Sequence, residues 1–387
     1  MPKPRLGVVL TDFGIPSEVW ALRQAAAFRD LEPVFLAETH SVGNLPVPNG
    51  YELHLFGRDG AVSPWRRIQR KMGLWQGALP SPGTMERLRG VLDGAHLDAV
   101  LCHFAWNAIA VQEAAGDHVP VICHVHGRDV SANLRWPHYR QALAHSLPRF
   151  ADVIAVGSHQ IEVMRGLGFT GHSSIIPCGA PTGWLSSLPF PERAEGAPLV
   201  FITVGRVSPE KGQLQTLAAF EGVAGELRDA QLVIVGDGPA MPELRARIAR
   251  SPVADRVRLT GMLAAEDVAA ELAGAHVFLQ HSRTAGDWVE GFGVTLVEAG
   301  AVGLPLIATR QGGIPDQVTD GENGFLIEAD DVAAQAKLML KFAHDEALRR
   351  RMGQAARARA LEYDSDRMAG KLEARIKDVV LSRGNVS

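Results

Sequence analysis

The chain has 387 residues, of which 46% are hydrophobic and 21% charged, and its formal net charge is −4. This length predicts two domains of roughly 100–200 residues each, and the composition excludes a disordered protein. The slight negative charge argues against a dedicated nucleic-acid-binding protein. The three cysteines lack CxxC spacing, so we expect neither a disulfide framework nor a zinc site, and a reducing compartment fits best.

The sequence predicts no targeting or membrane-spanning segment. The first apolar run, Leu6–Leu10, is too short for the core of a signal peptide. No uninterrupted apolar stretch approaches the roughly 20 residues needed to span a bilayer. We therefore expect a cytoplasmic protein that meets a membrane, if at all, as a peripheral protein on the inner face.

In chain order, short apolar runs alternate with amphipathic helical segments. Leu6–Leu10 is strand-like, Gly14 lies in the turn after it, and a helical pattern follows through Trp20 and Phe28. The alternation continues to residue 180, which predicts a parallel sheet with helices on both faces. Residues 181–198 are rich in Pro, Gly, Ser and Glu without periodicity, and we interpret them as an interdomain linker.

A second alternating series begins with the strand-like run Leu199–Val204. The predicted fold class is therefore α/β, with one doubly wound, Rossmann-like domain at 1–180 and another at 199–363. The final segment, 364–387, is helical and is expected to pack back toward the N-terminal domain. The other predicted strands of the second half are Gln231–Val235, Val257–Leu259, His276–Leu279, Pro305–Ala308 and Gly324–Ile327.

In the second half, two carboxylates, Glu290 and Glu298, bracket a glycine-bearing turn that leads into a helical pattern. Gly291 and Gly293 would let backbone N–H groups approach a ligand closely, and the helix start would attract anionic groups. A carboxylate two turns into the helix can accept hydrogen bonds from a ribose diol. Taken alone, the segment is also compatible with a solvated glutamate pair on an ordinary helix.

Cations follow the first strand of the second half. Arg206 and Lys211 are separated by a Ser-Pro turn, so both can converge on one anion, and a diphosphate suits a guanidinium fork and an ammonium together. The alternative is a pair of solvated surface cations. Gly236 opens another tight turn after the next strand, and Gly312 begins a Gly-Gly-Ile-Pro segment with more backbone donors.

Together these segments resemble the retaining glycosyltransferases of family 4, and the resemblance covers almost the whole chain. It implies the GT-B fold, in which two Rossmann-like domains face each other across a central cleft and the C-terminal domain binds the donor. It also implies a nucleoside-diphosphate-sugar donor with no separate cofactor and no metal. The segments that carry it are Gly205-Arg206, Pro209–Gly212, Gly236–Pro239, Glu290–Gly293, Glu298-Ala299, Gly312–Pro315 and Asn323-Gly324.

The resemblance assigns roles to residues of the second domain. Arg206 and Lys211 would hold the diphosphate and stabilise the leaving group, Glu298 would hold the ribose hydroxyls, and Glu290 would lie close to the sugar. Asp316 departs from the glutamate that these relatives often carry, which puts that contact in doubt. The full donor-binding set comprises Gly205, Arg206, Lys211, Gly236, Glu290, Gly291, Phe292, Gly293, Val294 and Glu298.

In the first domain, Cys123–Asp129 resembles the strand-end His-Gly-x-Asp of the family, which would place His126 beside the sugar. The catalytic candidates are therefore His126, Arg206, Lys211 and Glu290. The candidates on the acceptor side are Gly14, Ser17, Glu18, His103 and Asp129.

Two patterns that could suggest a metal site are interpreted otherwise. His124 and His126 alternate along a predicted strand and should point to opposite faces, so they are not expected to chelate one metal. Asp364 and Asp366 open the C-terminal helix and are interpreted as a helix cap.

The function predicted from these residues is retaining sugar transfer from a nucleoside-diphosphate-sugar to a polysaccharide, glycolipid or other hydroxyl acceptor. One alternative is a GT-B epimerase or hydrolase that uses the same donor site. The other is a catalytically silent nucleotide-sugar-binding scaffold, although all of His126, Arg206, Lys211, Glu290 and Glu298 are present.

The segment Pro64–Trp75 bears on where the acceptor is found. Trp65, Ile68, Met72 and Trp75 form one helical stripe, and four cations occupy its other faces. Such a helix can lie in an anionic membrane interface, where each cation contributes about 1 kcal/mol. The alternative is that the stripe packs on the core of the N-terminal domain.

Overall fold

The computed structural model describes residues 2–15, 18–41, 44–57 and 79–384. Ser17 and the basic segment Pro64–Trp75 lie outside the described residues. The chain divides into two compact units, one of residues 1–178 with 365–387 and one of residues 179–364. The segment expected as a linker, 181–198, falls in the second unit, where Thr182–Leu185 forms a short helix.

The first unit is built on a parallel sheet of seven strands in the order β3-β2-β1-β4-β5-β6-β7. The strands are β1 (Arg5–Asp12), β2 (Glu32–Thr39), β3 (Glu52–Leu55), β4 (Ala99–His103), β5 (Val121–Val125), β6 (Asp152–Ala155) and β7 (Ser173–Ile175). The α-helices described in this unit are Val19–Ala26, Pro82–Gly94, Ala105–Ala115, Pro137–Ser146, Ser158–Gly166 and Ser365–Gly384.

Both faces of this sheet are covered, as the apolar character of β1 requires. Leu6 and Leu10 pack into one core and Val9 into another, because successive side chains of a strand point to opposite faces. The C-terminal helix Ser365–Gly384 covers the first of these faces with Leu372 and Ile376, both fully buried. Burying each of these side chains contributes roughly 1.5–3 kcal/mol.

Polar contacts also fix the C-terminal helix to the first unit. The Glu373 carboxylate accepts hydrogen bonds from the backbone N–H groups of Arg29, Asp30 and Leu31, and Arg375 forms an ion pair with Asp152. Asp364, just before this helix, accepts hydrogen bonds from Thr182 and Gly183 at the start of the short helix Thr182–Leu185.

The second unit is built on a parallel sheet of six strands in the order β10-β9-β8-β11-β12-β13. The strands are β8 (Leu199–Val204), β9 (Ala230–Val235), β10 (Val257–Gly261), β11 (Val277–Gln280), β12 (Leu306–Thr309) and β13 (Gly324–Ile327). Its α-helices, besides Thr182–Leu185, are Gln213–Val223, Met241–Ile248, Ala265–Ala273, Val294–Val302, Val332–His344 and Glu346–Ala360.

The strand orders indicate where a ligand is expected to bind in each unit. The direction of sheet growth reverses between β1 and β4 in the first unit and between β8 and β11 in the second. Doubly wound sheets bind ligands at such switch points, beyond the carboxyl ends of the strands. Among the residues that the structure describes, no helix has the length and apolar character needed to cross a bilayer.

Candidate active site

The second unit collects the predicted donor-binding residues beyond the carboxyl ends of its strands. Gly205 and Arg206 follow β8, Gly236 follows β9, and the chain after β11 leads to Glu290. A Cβ atom on Gly236 would lie 2.0 Å from the carbonyl oxygen of Gly205, so the two turns meet backbone to backbone. The sequence therefore brings these segments to one edge of one sheet.

A buried ion pair is the centre of this edge. The Lys211 ammonium lies 2.7 Å from Oε2 of Glu290, whose side chain is almost entirely buried. The same oxygen accepts hydrogen bonds from Ser282 Oγ at 2.9 Å and from Gln280 Nε2 at 3.2 Å. The Lys211 ammonium is also 5.3 Å from the ring centroid of Trp288. A carboxylate with three donors, one of them charged, is held in a single position.

The backbone around Glu290 is fixed as firmly as its side chain. Its N–H donates to Gln311 Oε1 at 3.0 Å, and its carbonyl accepts from the N–H of Gly313 at 3.1 Å. Gly312 has φ 57°, and a Cβ atom there would lie 2.0 Å from the Glu290 carbonyl oxygen, so only glycine fits. The Gly-Gly-Ile-Pro segment thus supports the loop that presents Glu290.

Glu290 is followed by the nine-residue helix Val294–Val302, which Gly293 precedes in a left-handed conformation. A helix N-terminus carries roughly half a positive charge and attracts anions. Glu298 is half-buried on this helix and Val294 is exposed. The Phe292 ring is buried and packs edge-on against Tyr363, so the residue can reach a ligand only with its backbone.

Arg206 differs from Lys211 in its surroundings. Its guanidinium pairs with Glu210 at 2.8 Å, and 60% of its side chain is exposed. An exposed pair of this kind stabilises the fold by about 0–1 kcal/mol, so little energy is lost when the guanidinium leaves Glu210 for another anion.

In the first unit, two predicted histidines meet at the ends of neighbouring strands. His103 ends β4 and His126 follows β5, and His103 Nδ1 lies 3.1 Å from His126 Nε2. The Trp20 ring lies against both, with centroid distances of 5.0 Å to His103 and 4.5 Å to His126. Burial lowers the pKa of both imidazoles well below the ordinary value, so both are neutral at pH 7.

His124 lies in the same cluster, and the expectation that it points away from His126 is wrong. The two ring centroids are only 4.3 Å apart. The physical reason is that β5 ends at Val125, so the alternation of a strand does not extend to His126. The next residue, Gly127, has φ 143° and turns the chain. Burial lowers the pKa of His124 to about 4.

Asp129, expected on the acceptor side, is instead fully buried beneath the site. Its Oδ1 accepts hydrogen bonds from the N–H groups of His126 at 3.1 Å and Gly127 at 2.8 Å, and its Oδ2 accepts from Ala105 at 3.0 Å. Burial raises its pKa, although these N–H donors favour the charged form. The hydrogen bonds of Asp129 therefore hold the turn that presents His126.

The remaining acceptor-side candidates follow β1. Gly14 is buried with φ 74°, and a Cβ atom there would lie 2.5 Å from the Leu45 carbonyl oxygen. Glu18 lies just before the helix Val19–Ala26, and burial, assisted by the charge of Asp12, raises its pKa to about 7. Oε2 of Glu18 has no hydrogen-bond partner among the described residues. Glu18 can therefore exchange a proton near neutral pH.

Several residues of both sites were not predicted. Gln280, Ser282 and Gln311 all come at or directly after strand ends, so attention to every polar strand-end residue would have found them. Trp20 gives no such signal, and Phe104, which directly follows β4, is apolar. Phe104 has φ 69°, uncommon for a residue other than glycine, and its ring lies 4.8 Å from that of His126.

Two family models match the chain. Residues 187–359 match "Glycosyl transferases group 1" and residues 45–184 match "Glycosyltransferase Family 4".

Curated relatives match most strongly over part of the chain. A GDP-mannose-dependent alpha-(1-6)-phosphatidylinositol monomannoside mannosyltransferase of Mycolicibacterium smegmatis is 34% identical over 186 residues, 48% of each chain. The chain thus spans about half the length of this relative in the match. WcaL of Escherichia coli K12, named for colanic acid biosynthesis, is 27% identical over 383 residues, 87% of this chain and 90% of WcaL.

Solved structures share the fold over nearly the whole chain. HepE of Anabaena, solved in complex with UDP, has a TM-score of 0.75 at 18% identity and covers 97% of this chain and 100% of its own. Sucrose-phosphate synthase of Thermosynechococcus elongatus has a TM-score of 0.78 at 16% identity, and the match covers 98% of this chain and 100% of the synthase chain. These likenesses, with the two Rossmann-like sheets, show the GT-B fold. The two adjacent family matches together span nearly all of residues 45–359 and place the chain among the glycosyltransferases of group 1 and family 4.

Proposed function

We propose that this protein is a retaining glycosyltransferase that moves a sugar from a nucleoside-diphosphate-sugar to a hydroxyl group of a polysaccharide or glycolipid acceptor. The second unit binds the donor, and the first unit binds the acceptor. The observation that carries the proposal is the buried Lys211–Glu290 pair beside the start of the helix Val294–Val302.

The donor diphosphate suits this edge because the edge supplies movable cations and a helix N-terminus. Arg206 pairs only with Glu210 at the surface and can turn to a phosphate. Lys211 is shared with Glu290, and the Lys211 ammonium can bind a phosphate oxygen as well, because it has three donors. Both cations then stabilise the negative charge that develops on the leaving diphosphate. Glu298 accepts hydrogen bonds from the ribose hydroxyls.

Glu290 holds the sugar by accepting hydrogen bonds from its hydroxyls with Oε1. Its other oxygen is already taken up by Lys211, Ser282 and Gln280. Because the carboxylate does not have to reorganise when the donor arrives, the sugar is positioned at little entropic cost.

The acceptor is bound by neutral groups. His126 is partly exposed and uncharged, so it can bind a hydroxyl without attracting water as an imidazolium would. Glu18, with a pKa of about 7, can accept the proton that an attacking hydroxyl loses. In retaining transfer the hydroxyl approaches the face that the diphosphate leaves, and catalysis rests on positioning and electrostatic stabilisation.

The proposal is tested in two steps. First, a thermal-shift panel of UDP-, GDP-, ADP- and TDP-sugars, including GDP-mannose, should show stabilisation by one base, about 2.7 kcal/mol at 100 times the dissociation constant. Second, that donor is incubated with phosphatidylinositol mannoside, inositol phosphate and oligosaccharide acceptors. Transfer supports the proposal. Release of free sugar alone indicates the hydrolase, and binding without turnover of any acceptor indicates the silent scaffold.

The acceptor is proposed to be lipid-linked or membrane-associated, with the protein at the cytoplasmic face. The support is the basic sequence of Pro64–Trp75, with its tryptophan-bearing stripe. Co-sedimentation with vesicles containing anionic lipid, but not with neutral vesicles, is the expected result. Replacing Arg66, Arg67, Arg70 and Lys71 by Gln should abolish it, and retained sedimentation of that variant would contradict the proposal.

A further inference from the structure

The first unit contains a group of three histidines that sugar transfer does not require as a group. We define the histidine cluster as His103, His124 and His126. One ring nitrogen from each lies within 4.8 Å of the corresponding nitrogens of the other two. Sugar transfer as proposed uses only the partly exposed His126, whereas His103 and His124 are fully buried.

The distances in the histidine cluster suit a metal. His103 Nδ1 and His126 Nε2 are 3.1 Å apart. In a tetrahedral zinc site with Zn–N bonds of about 2.0–2.1 Å, two ligand nitrogens lie about 3.3 Å apart. A metal ion can therefore replace the proton between these two nitrogens at nearly the same separation, once each ring rotates so that its lone pair points at the metal.

The third histidine presents a free lone pair. His124 Nε2 lies 3.0 Å from the Ile176 carbonyl oxygen, which can only accept, so the proton of the neutral ring is on Nε2. His124 Nδ1 then carries the lone pair, and it is buried with no hydrogen-bond partner among the described residues. A ring nitrogen whose opposite N–H is held by a backbone carbonyl is the usual arrangement of a metal-binding histidine. A buried acceptor without a donor is otherwise costly.

The surroundings also match a metal site. The sulfur of Cys178 is 3.6 Å from His126 Nδ1, which directs the other nitrogen of that ring toward His103. The rings of Trp20 and Phe104 lie against His126.

We infer that the histidine cluster binds one divalent transition metal ion of the zinc type. Neutral imidazoles prefer zinc, copper and nickel to magnesium or calcium, which require oxygen ligands. Three protein ligands leave a fourth position for water. The metal would bind the lone pair of His126. In the proposed function, His126 could then no longer bind the acceptor hydroxyl, so the ion acts as an inhibitor and not as a catalyst.

The first experiment measures metal binding directly. Protein freed of metal with EDTA is dialysed against Zn²⁺ in the presence of Mg²⁺, and bound zinc is determined by elemental analysis. We expect one equivalent of zinc per chain and a rise in melting temperature, since the site exists only in the folded state. Titration with Co²⁺ should give the intense visible absorption bands of a four-coordinate ion. The ion should also quench the fluorescence of Trp20, and the Trp20→Phe variant should not show this decrease in fluorescence.

Variants decide whether the histidine cluster is the site. His126→Gln, at a partly exposed position, and His103→Gln should each weaken zinc binding at least about tenfold. His145→Gln removes an exposed histidine and should bind zinc as the wild type does. Equal zinc binding by wild type and His126→Gln overturns the inference, as does equal loss in His145→Gln. None of these measurements depends on sugar transfer, so their failure is distinct from failure of the proposed function.

Discussion

The two switch points of this protein have the same topology and opposite chemistry. Between β8 and β11, the second unit places a buried ion pair, an exposed ion pair and a helix N-terminus. Between β1 and β4, the first unit places neutral imidazoles and aromatic rings, with one carboxyl group of raised pKa. The difference lies in the residues that follow the strands, because the parallel sheets themselves are alike.

This contrast follows from what each edge is proposed to bind. A diphosphate carries negative charge that cations must balance. Before the donor binds, those cations are best paired with carboxylates, since an unpaired buried cation is costly. An acceptor hydroxyl is neutral, so permanent charge beside it would only bind water. The predictions below test this division, beginning with the largest expected effect.

The largest effect is expected at the buried ion pair. Lys211→Ala removes the cation proposed to stabilise the leaving diphosphate, and the kcat/KM of sugar transfer should fall about 100–1,000-fold. Steady-state kinetics with the donor identified by the panel measure this. Lys337→Ala, at an exposed lysine of the same unit, is the matched control and should have wild-type kinetics. Unchanged kcat/KM in Lys211→Ala would exclude Lys211 from catalysis.

The same pair separates stability from catalysis. Lys211→Ala leaves the buried Glu290 carboxylate without its cation, so the melting temperature should fall. In the double variant Lys211→Ala/Glu290→Gln, the unpaired carboxylate is replaced by a neutral amide, so the melting temperature should recover. The activity should not recover. If activity recovers with stability, the role of Lys211 is structural.

A smaller effect is expected for the residues that position Glu290. Ser282→Ala removes a hydrogen bond to a charged oxygen, worth about 1.5–3 kcal/mol. We expect a loss of about 10–100-fold in kcat/KM, with donor-induced stabilisation retained. Ser251→Ala, at another buried serine of the second unit, should leave kcat/KM unchanged. Equal losses in both variants would indicate a general packing defect.

The buried, neutral histidines of the first unit should make the free energy of unfolding depend on pH. The pKa of His124 is lowered to about 4 in the folded state, so the unfolded chain binds more protons below pH 6.5 and stability falls as pH falls through that window. Through His124 alone, the free energy of unfolding should fall by about 1.5 kcal/mol between pH 6.5 and pH 5. Urea unfolding at pH 7, 6 and 5 measures this, and a flat profile would contradict the burial of neutral imidazoles.

Glu18 provides the internal control for that measurement. Its folded pKa is raised to about 7, so the folded state holds its proton and gains stability as pH falls from 7 toward 4.5, opposite to the histidines. In Glu18→Gln this compensation is lost, and stability should fall more steeply with pH than in the wild type. An unchanged pH profile would show that the pKa of Glu18 is not raised in the folded state.

The sheets were predictable from the sequence, while the contacts within the sites were only partly so. Every predicted strand is present, and most of them are short apolar runs, as buried parallel strands require. Leu199–Val204 and Gly324–Ile327 match the predicted bounds at both ends. Arg206 and Lys211 were predicted from their turn, but the carboxylate partner of Lys211 was not, since Glu290 is 79 residues away along the chain. The rings of His124 and His126 lie close together because β5 ends at Val125. This could not be predicted, because an apolar pattern defines strand ends poorly.

The smallest effect is expected at the exposed ion pair, and it tests why the two cations of the second unit differ. Glu210→Gln removes the only carboxylate that the structure shows on Arg206 within the described residues. Because that pair is exposed, the free energy of unfolding should change by no more than about 1 kcal/mol. Donor affinity, measured by calorimetry, should increase slightly, because the phosphate no longer competes with Glu210 for the guanidinium. Weaker donor binding in Glu210→Gln would show that Glu210 orients Arg206 toward the phosphate, and the exposed pair would then be as much a part of the donor site as the buried one.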